Sequence, residues 1–353
     1  MPRRICFAYY WATSGGVERV FLNRAEALLR HDPELEIELS FYNDCGGVSL
    51  IERYSKARKL SDRVRVAPKF EPARYEAIFV VDSPQFVADY PDIEDRMVME
   101  CHTPYPENRL YLRTWQRRLK SLIVPSAGFL QVLENEWPAL RGKIQVVRNF
   151  VPKLPQVDRP LPLPAWRGPV FLYFARIDEL KNFAEFVEGI SSTRLHLKEE
   201  PLGIAFGQML PGYPVKELLE KNYCRGSVMV LPPVPFENSH ILMQMLRQKR
   251  GIFVSCSKGE SFGLSAAEAM TAGLPVILSD IPPHAVLVSN RSKFLYPLGD
   301  VRELAAKMAD FTEHYDELAA ECRDLSHEFS EEAFLADWDR LCTPGLDRLL
   351  GVV

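Results

Sequence analysis

The chain has 353 residues, of which 47% are hydrophobic and 25% are charged, and its formal net charge is −4. This length can supply two domains with separate cores, and the composition excludes an intrinsically disordered protein. The small net charge gives no overall bias toward nucleic acid, so none is expected as a partner.

Seven cysteines are scattered along the chain without a C-x-x-C pair. This pattern favours a reducing, cytoplasmic compartment over a disulfide framework or a zinc site. Met1 to Arg4 are followed by an apolar run of only a few residues, which predicts a first strand rather than a secretory signal. No segment approaches the length needed to cross a bilayer.

Short apolar runs alternate with helical patterns in the first half of the chain, as in βα units on a parallel sheet. The predicted strands are Ile5–Tyr9, Ile37–Phe41, Ala77–Val81, Met97–Cys101, Leu122–Pro125 and Ile144–Val147. Helices are predicted between them, notably Val17–Arg30 and Ala127–Glu134. These elements predict a first Rossmann-like domain over residues 1–152.

Proline then becomes frequent, with six between Pro152 and Pro169, and this predicts a linker over residues 153–168. A second domain is predicted over residues 169–328, with strands Val170–Phe174, Gly203–Phe206, Val228–Leu231, Ile252–Ser255 and Val276–Leu278. The tail, residues 329–353, is predicted to be helical, because Ser330-Glu331-Glu332 is typical of an N-cap with an acidic first turn.

A tight, glycine-containing turn that begins at Gly259 leads from a buried strand into a helix predicted over Leu264–Ala272. Free N–H groups and the helix dipole make such a helix start an anion site. Glu260 lies in the turn and Glu268 lies more than one turn into the helix, so the two carboxylates are separated by roughly the span of a diphosphate. A diphosphate with a hydroxyl-rich group at each end fits this layout, which describes a nucleotide sugar.

The same residues resemble a known family. Glu260 and Glu268 match the E-x7-E pattern of retaining GT-B glycosyltransferases, and the surrounding residues are most similar to glycosyltransferase family 4. The resemblance implies an α/β fold with two Rossmann-like domains facing each other across a cleft and a C-terminal helix crossing back to the first domain. It implies a retaining transfer of sugar from a nucleoside-diphosphate sugar, with no cofactor beyond that donor substrate.

This layout gives each residue of the segment an expected role. Glu260 is expected to contact the donor sugar, and Glu268 is expected to accept hydrogen bonds from the ribose. The backbone N–H groups of Phe262, Gly263 and Leu264 are candidates for the distal phosphate, and Ser261 is expected to bind the donor beside them. The base is expected near Val234-Pro235-Phe236, which follows the strand ending at Leu231.

Two cations follow the first strand of the second domain, in Arg176-Ile177-Asp178-Glu179-Leu180-Lys181. Arg176 and Lys181 resemble the Arg and Lys of the family's G-R-L-x-x-x-K-G loop. Fixed cations there would stabilise the negative charge that accumulates on a departing diphosphate. Both residues are therefore expected to bind the donor and assist catalysis, and no metal ion is needed. Outside this context they would be ordinary surface charges.

The first domain offers two further candidates. Gly15 and Gly16 lie between strand and helix and resemble the family's glycine-rich loop, which faces the donor; the alternative is a simple turn and helix cap. His102 follows the strand Met97–Cys101, and the family often has a histidine near the donor sugar at this place. It is a candidate neutral donor or general acid, and the alternative is a histidine packed against Tyr105.

The segment Asn108–Lys120 contains five basic residues and no acidic one, with apolar residues near helical spacing. It predicts a basic amphipathic helix. Such a helix suits an anionic acceptor, such as a lipid diphosphate or an anionic glycan, and peripheral contact with an anionic membrane. The alternative is a helix packed on its own domain, and a protein or small-molecule acceptor stays open.

The leading hypothesis is therefore a retaining glycosyltransferase acting in glycolipid or surface polysaccharide assembly. A GT-B sugar-nucleotide epimerase is the enzyme alternative, and it would alter the free nucleotide sugar without an acceptor. A nucleotide-sugar-binding subunit without catalysis is the other alternative, and it would bind donor without turnover. The presence of Arg176, Lys181, Glu260 and Glu268 together argues against that subunit.

Overall fold

A computed structural model describes residues 3–13, 15–117, 119–153 and 166–342. The predicted linker lies mostly outside these residues, as do residues 343–353 of the predicted tail. The chain divides into two compact units. Unit 1 comprises Met1–Pro152 together with Phe329–Val353, and unit 2 comprises Lys153–Glu328.

Unit 1 is built on a parallel sheet. Its strands are β1 (Arg3–Ala12), β2 (Leu35–Asp44), β3 (Val64–Val66), β4 (Ala77–Val81), β5 (Met97–Glu100), β6 (Leu122–Val124) and β7 (Ile144–Val146). The order in the sheet is β3-β2-β1-β4-β5-β6-β7, so the sheet grows outward in both directions from the β1–β4 pair. All five residues of β4 are buried, as expected for a central strand covered on both faces.

Helices cover the sheet of unit 1 between the strands. They are α1 (Gly16–His31), α2 (Gly47–Ala57), α3 (Pro84–Asp89), α4 (Tyr111–Trp115) and α5 (Ala127–Glu136). Helix α5 begins at the N-cap Ser126, whose side chain accepts a hydrogen bond from the N–H of Phe129.

Unit 2 repeats this plan. Its strands are β8 (Val170–Phe174), β9 (Leu202–Phe206), β10 (Val228–Leu231), β11 (Ile252–Ser255), β12 (Val276–Ser279) and β13 (Leu295–Tyr296). They form a parallel sheet in the order β10-β9-β8-β11-β12-β13. Its helices are α6 (Phe183–Thr193), α7 (Val215–Lys221), α8 (Ser239–Gln248), α9 (Leu264–Ala272), α10 (Pro282–Leu287), α11 (Val301–Glu313) and α12 (Tyr315–Leu325).

The last described helix, α13 (Glu331–Cys342), belongs to unit 1. Ser330 accepts a hydrogen bond from the N–H of Ala333, which is the predicted N-cap arrangement. Asp337 accepts hydrogen bonds from both the backbone and the guanidinium of Arg148. The indole of Trp338 lies 5.0 Å from the ring of Phe79 and covers the central strands of the sheet. Burial alone would raise the pKa of Asp337, but the bonds from Arg148 outweigh it and lower that pKa.

The long apolar runs were predicted to within a few residues, whereas two short strands were missed. Strands β3 and β13 contain three and two residues, which is too few for an alternating pattern to be recognised. Each is an edge strand, so it forms backbone hydrogen bonds with only one neighbouring strand.

The predicted basic helix over Asn108–Lys120 is wrong as a continuous element. A 3₁₀ turn at Pro106–Arg109 is followed only by the five-residue α4. Arg109 is buried because its guanidinium bonds the Glu136 carboxylate and lies 5.5 Å from the Phe129 ring. Leu112 is buried in the core of unit 1, so the apolar side of this segment packs on its own domain.

Within the described parts of the chain, no helix is both long and apolar enough to span a membrane. The described cysteine side chains, those of Cys6, Cys45, Cys101, Cys224, Cys256 and Cys322, are free thiols.

Truncation of Trp338 should destabilise unit 1 strongly. The indole is 9% exposed, and removing a buried aromatic side chain costs about 3 to 5 kcal/mol. We expect Trp338→Ala to reduce hydrogen-exchange protection of β1 and β4 as well as α13. The half-exposed Asp339, paired with His31 on the surface, is the matched control on the same helix, and Asp339→Ala should cost at most about 1 kcal/mol. Equal effects of the two substitutions would contradict this packing role.

Candidate functional site

In the sheet of unit 2, the order in which successive strands are added changes sides between β8 and β11. Strands β9 and β10 lie on one side of β8, while β11, β12 and β13 lie on the other. Loops at the carboxyl ends of two such neighbouring strands diverge and leave a crevice, which is where open α/β sheets bind ligands. The predicted donor residues Arg176 and Lys181 follow β8, and Glu260 follows β11.

The two loops are joined by an ion pair. The Nζ of Lys181 lies 2.6 Å from Oε1 of Glu260 and donates a second hydrogen bond, at 3.4 Å, to the carbonyl of Gly259. The side chains of Lys181 and Glu260 are 13% and 16% exposed. The sequence places these residues 79 positions apart, and the fold brings them into direct contact.

Asp178 organises the loop after β8. Its carboxylate accepts hydrogen bonds from Nε of Arg176 at 2.7 Å and from the backbone N–H of Lys181 at 2.8 Å. The side chains of Arg176, Asp178, Lys181 and Glu260 together carry no net charge. An anion binding here would depend on the direction of individual donors rather than on a general excess of positive charge.

Helix α9 supplies further donors at the same edge. Its N-cap Gly263 has φ of 91°, a left-handed conformation that favours glycine, and the turn brings the first N–H groups of the helix to the carboxyl end of β11. Phe262 is 5% exposed and fixes the turn to the core. Glu268 lies within α9 and is 2% exposed, so its carboxylate is buried rather than open to solvent.

The buried side chain of His284 packs beside this turn. His284 lies with Nδ1 3.0 Å from the carbonyl of Ser279 and with Nε2 3.5 Å from Oγ of Ser255. Burial lowers its pKa, while the nearby Glu260 charge raises it less strongly, so the ring is held neutral. A Cβ added at Gly263 would lie 3.5 Å from the His284 ring, an ordinary van der Waals contact, so the positive φ rather than lack of space favours glycine here.

Val234, the predicted base contact, follows the edge strand β10 and is half-buried. Strand β9 lies between β10 and β8, so this residue is on the same side of the switch point as the loop carrying Met209. The isolated bridge between Ile177 and Met209 connects that loop to the Arg176 segment.

The glycine-rich turn of unit 1 lies at the corresponding switch point, between β1 and β4. Glu18, in the first turn of α1, accepts hydrogen bonds from the hydroxyl of Thr13 and from its backbone N–H. The N–H of Gly15 in turn donates to the Thr13 hydroxyl at 3.1 Å. A Cβ on Gly16 would meet no atom within 4 Å, so the space beside this residue is open.

His102 lies at the carboxyl end of β5, in a buried charged network. Its Nε2 is 2.8 Å from Oε2 of Glu100, and both oxygens of Glu100 lie 2.9 Å from Nη1 of Arg24. Glu100 and Arg24 are 0% and 1% exposed. Burial alone would raise the pKa of Glu100, but the Arg24 charge and the His102 bond outweigh it and lower the pKa to about 2.

Asp82, at the carboxyl end of β4, holds the backbone of His102. Both of its carboxylate oxygens accept the His102 N–H, at 3.2 and 3.0 Å, and one accepts the hydroxyl of Tyr111. Burial raises the pKa of Asp82 to about 6, despite the opposing effect of His102. Its φ of 45° is left-handed, a conformation that Asp tolerates and that most side chains avoid.

The structure thus divides the predicted site residues between the two units. Arg176, Lys181 and Glu260 share one sheet edge with Ser261, Phe262, Gly263, Leu264 and Glu268, whereas Gly15, Gly16 and His102 belong to unit 1. The sequence reasoning missed Asp178, Glu100 and Asp82. Asp178 could have been found, because it lies between the two predicted cations and can bond both.

Residues 164–332 match the family described as Glycosyl transferases group 1. The matched segment covers nearly all of unit 2, including the Arg176 loop and the turn before α9. The predicted GT-B fold, two Rossmann-like domains with the last helix packing on the first, is confirmed by the two sheets and by α13.

Two relatives are similar in sequence over part of the chain. A GDP-mannose:cellobiosyl-diphosphopolyprenol alpha-mannosyltransferase of Xanthomonas oryzae pv. oryzae (strain PXO99A) is 44% identical over 142 residues, which cover 39% of this chain and 36% of the relative. The protein of the same name from Xanthomonas campestris is 41% identical over 154 residues, which cover 41% and 40% of the two chains. The chain therefore spans only about two fifths of these relatives' length.

Two solved structures resemble nearly the whole chain in fold. HepE of Anabaena in complex with UDP and glucose has a TM-score of 0.73 at 16% identity and covers 97% of this chain and 100% of its own. A sucrose-phosphate synthase from Thermosynechococcus elongatus has a TM-score of 0.71 at 15% identity and covers 99% and 100%. At these identities the likeness concerns the fold.

The raised pKa of Asp82 makes the stability of unit 1 depend on pH. Since the pKa in the folded state exceeds the ordinary value of 3.8, this group's contribution is fully present below about pH 4 and is lost as the pH rises through 6. Asp82→Asn keeps an acceptor and a residue tolerant of positive φ, but it does not ionise. We expect its stability relative to wild type to increase by about 1 to 2 kcal/mol between pH 4.5 and 8.

Thermal unfolding of both proteins across this pH range checks that expectation. Asp62→Asn, at an exposed position of the same unit, is the control and should show a difference from wild type that does not vary with pH. A pH-independent difference for Asp82→Asn as well would show that the Asp82 carboxyl is not held in an unfavourable charged state.

Proposed function

We propose that the chain is a retaining, metal-independent glycosyltransferase that moves a sugar from a nucleoside-diphosphate sugar to a lipid-linked saccharide acceptor. The observation that carries the proposal is the Lys181–Glu260 ion pair at the switch point between β8 and β11, beside the start of α9. The group 1 match of residues 164–332 supports the same reaction class.

The ion pair suggests how donor binding and sugar recognition are coupled. A diphosphate placed at the first N–H groups of α9 would compete with Glu260 for the Lys181 ammonium, because phosphate oxygens are strong charge-assisted acceptors. Glu260 would then be released to accept hydrogen bonds from sugar hydroxyls. In this scheme Arg176 and Lys181 stabilise the charge on the leaving diphosphate, a role that needs no metal ion.

The two sequence relatives make GDP-mannose the first donor to test. They are 41% to 44% identical over the matched segments, far above the 11% to 16% of the structural neighbours, so their printed donor carries more weight. Their printed acceptor, a saccharide on diphosphopolyprenol, is consistent with the anionic, lipid-linked acceptor expected from the basic segment Asn108–Lys120.

A lipid-linked acceptor implies work at a membrane surface, and we propose peripheral attachment on the cytoplasmic face. Leu110 is 59% exposed and is followed by the exposed Arg113 and Arg117. One apolar anchor with adjacent cations can add to binding on anionic lipid, although the rest of this segment packs on unit 1.

Donor binding can be tested by thermal shift with GDP, UDP, ADP, CMP and dTDP, each alone and as a sugar conjugate. We expect GDP-mannose to give the largest shift, since a ligand at a hundred times its Kd adds about 2.7 kcal/mol. Glu268→Ala should abolish the preference for the nucleotide, whereas Glu313→Ala, on the exposed side of α11, should leave it unchanged. No shift with any nucleotide would contradict the donor site.

Transfer is tested with the best-binding donor and a saccharide on diphosphopolyprenol. We expect an α-linked product from an α-linked donor, unchanged activity with EDTA, and a loss of at least about 100-fold in kcat for a folded Glu260→Gln variant. Proton NMR of the anomeric position reports the configuration. Inversion or EDTA sensitivity would overturn the retaining or the metal-independent part. A changed donor without acceptor would indicate an epimerase, and binding without turnover a non-catalytic subunit.

A further inference from the structure

We propose that Glu100 is a positioning residue, which fixes the His102 ring with its proton on Nε2 and leaves Nδ1 as the nitrogen that a ligand can use. The inference deepens the proposed function, and it rests on that function for the identity of the ligand, a hydroxyl of the donor sugar. The protonation pattern of the ring follows from unit 1 alone.

Glu100 is a charged acceptor. Both of its oxygens lie 2.9 Å from Nη1 of Arg24, which is itself 1% exposed. The Arg24 charge lowers the pKa of Glu100 despite its burial, so the carboxyl is ionised at neutral pH. An ionised carboxylate has no proton to donate.

The hydrogen bond between Glu100 and His102 therefore has only one direction. Oε2 of Glu100 lies 2.8 Å from Nε2 of His102, so the proton of this bond belongs to the imidazole. In the neutral ring Nδ1 then carries a lone pair and can only accept. His102 was expected from the sequence to act as a neutral donor or a general acid. The network favours an acceptor of a sugar hydroxyl proton, which becomes a donor only when the ring is charged.

The surroundings of the ring are consistent with a single ligand contact. The His102 side chain is 4% exposed, so it can offer very little of its surface to a bound molecule. The groups that face this residue from the neighbouring elements are Asp82, which holds its backbone N–H, and Tyr111, which bonds Asp82. Arg109 donates to the carbonyl of the next residue, Thr103.

His284 provides an internal comparison with the opposite arrangement. Its Nδ1 is 3.0 Å from the carbonyl of Ser279, which can only accept, and 3.1 Å from the Ser279 hydroxyl. That hydroxyl donates its proton to the Ser257 carbonyl at 2.6 Å, so the neutral ring carries its proton on Nδ1. The chain thus holds two buried histidines that should differ in tautomer. One is set by a backbone carbonyl in unit 2, and the other by a charged side chain in unit 1.

Arg24 connects this network to the glycine-rich turn. It lies on α1, which begins at Gly16, and its guanidinium is 5.8 Å from the ring of Phe334 on α13. A carboxylate or an apolar residue in place of Arg24 would leave Glu100 buried without its compensating cation. Arg24 therefore acts on His102 through Glu100.

The test is a two-bond ¹H–¹⁵N spectrum of the full chain labelled at the histidine ring nitrogens, which distinguishes the two neutral tautomers directly. We expect an Nε2–H ring for His102 and an Nδ1–H ring for His284, with the His102 signals assigned by their absence in His102→Asn. In Glu100→Gln the His102 ring should lose its single tautomer while His284 stays unchanged. An Nδ1–H ring for His102 in the wild type would overturn the inference.

A functional readout separates positioning from plain structural support. A sugar hydroxyl bonded to a correctly held His102 ring contributes to binding of the nucleotide sugar but not of the nucleoside diphosphate alone. Glu100→Gln should therefore raise the Kd of the nucleotide sugar about tenfold and leave the Kd of the nucleoside diphosphate unchanged. Glu136→Gln removes another carboxylate that pairs with an arginine in unit 1, and it should change neither Kd. An unchanged Kd of the nucleotide sugar in a folded Glu100→Gln protein would overturn the role of Glu100.

Two further outcomes keep the inference and the proposed function apart. If Glu100→Gln fails to fold, Glu100→Asp retains the charge and should retain both the Nε2–H ring and the wild-type Kd of the nucleotide sugar; loss of either would count against the proposal. If the tautomers are as expected but no nucleotide binds, the proposed function fails while the positioning stands. If nucleotides bind and His102 is an Nδ1–H ring, only the positioning fails.

Discussion

The constraint on which the rest of the structure depends is the parallel direction of every paired strand in both sheets. Parallel strands require a crossover after each one, so all of their carboxyl ends emerge along one edge, and the loops there are the places where chemistry can be gathered. Because each sheet grows outward from a central pair, one gap along that edge is left open. In unit 2 the gap is flanked by the Lys181 and Glu260 loops, and in unit 1 by the glycine-rich turn and Asp82.

In both units, charged side chains at the site form close pairs of opposite charge instead of clusters of one sign. In unit 2 each cation at the edge has a carboxylate partner, and in unit 1 the buried Arg24 is matched by Glu100. Buried or half-buried charges are expensive unless they are paired and hydrogen-bonded, so these pairs are geometrically demanding. The result is a set of donors and acceptors with fixed directions, suited to recognising a particular arrangement of phosphate and hydroxyl groups.

The sequence predicted the parts of the fold that depend on long, regular patterns. Strands such as Val170–Phe174 and the helix Leu264–Ala272 were predicted with their observed bounds, because a buried strand between turns and a glycine-terminated helix are strong local signals. The segment after Arg109 was misjudged, because the spacing of its apolar residues is helical while a tertiary contact with Glu136 decides its course.

The candidate site was predictable only as far as each residue could be assigned to a strand end. Lys181 and Glu260 were singled out separately, but their contact depends on the order of β8 and β11 in the sheet, which no local pattern encodes. The role of Glu100 could not be predicted from the sequence, for a different reason. It is one residue of a short strand, and only its position opposite Arg24, 76 residues earlier in the chain, gives it a role.

The assignment of α13 to unit 1 makes that unit discontinuous in the chain, and this has a consequence for synthesis. A ribosome adding roughly 5 to 20 residues per second would take on the order of ten seconds or more to pass from the end of the first segment to the last helix. During that interval the aromatic face around Phe7 and Phe79, which Trp338 covers in the finished protein, stays open. Unit 2, which is continuous, can complete its core before unit 1, whose sheet stays partly uncovered until α13 is synthesised.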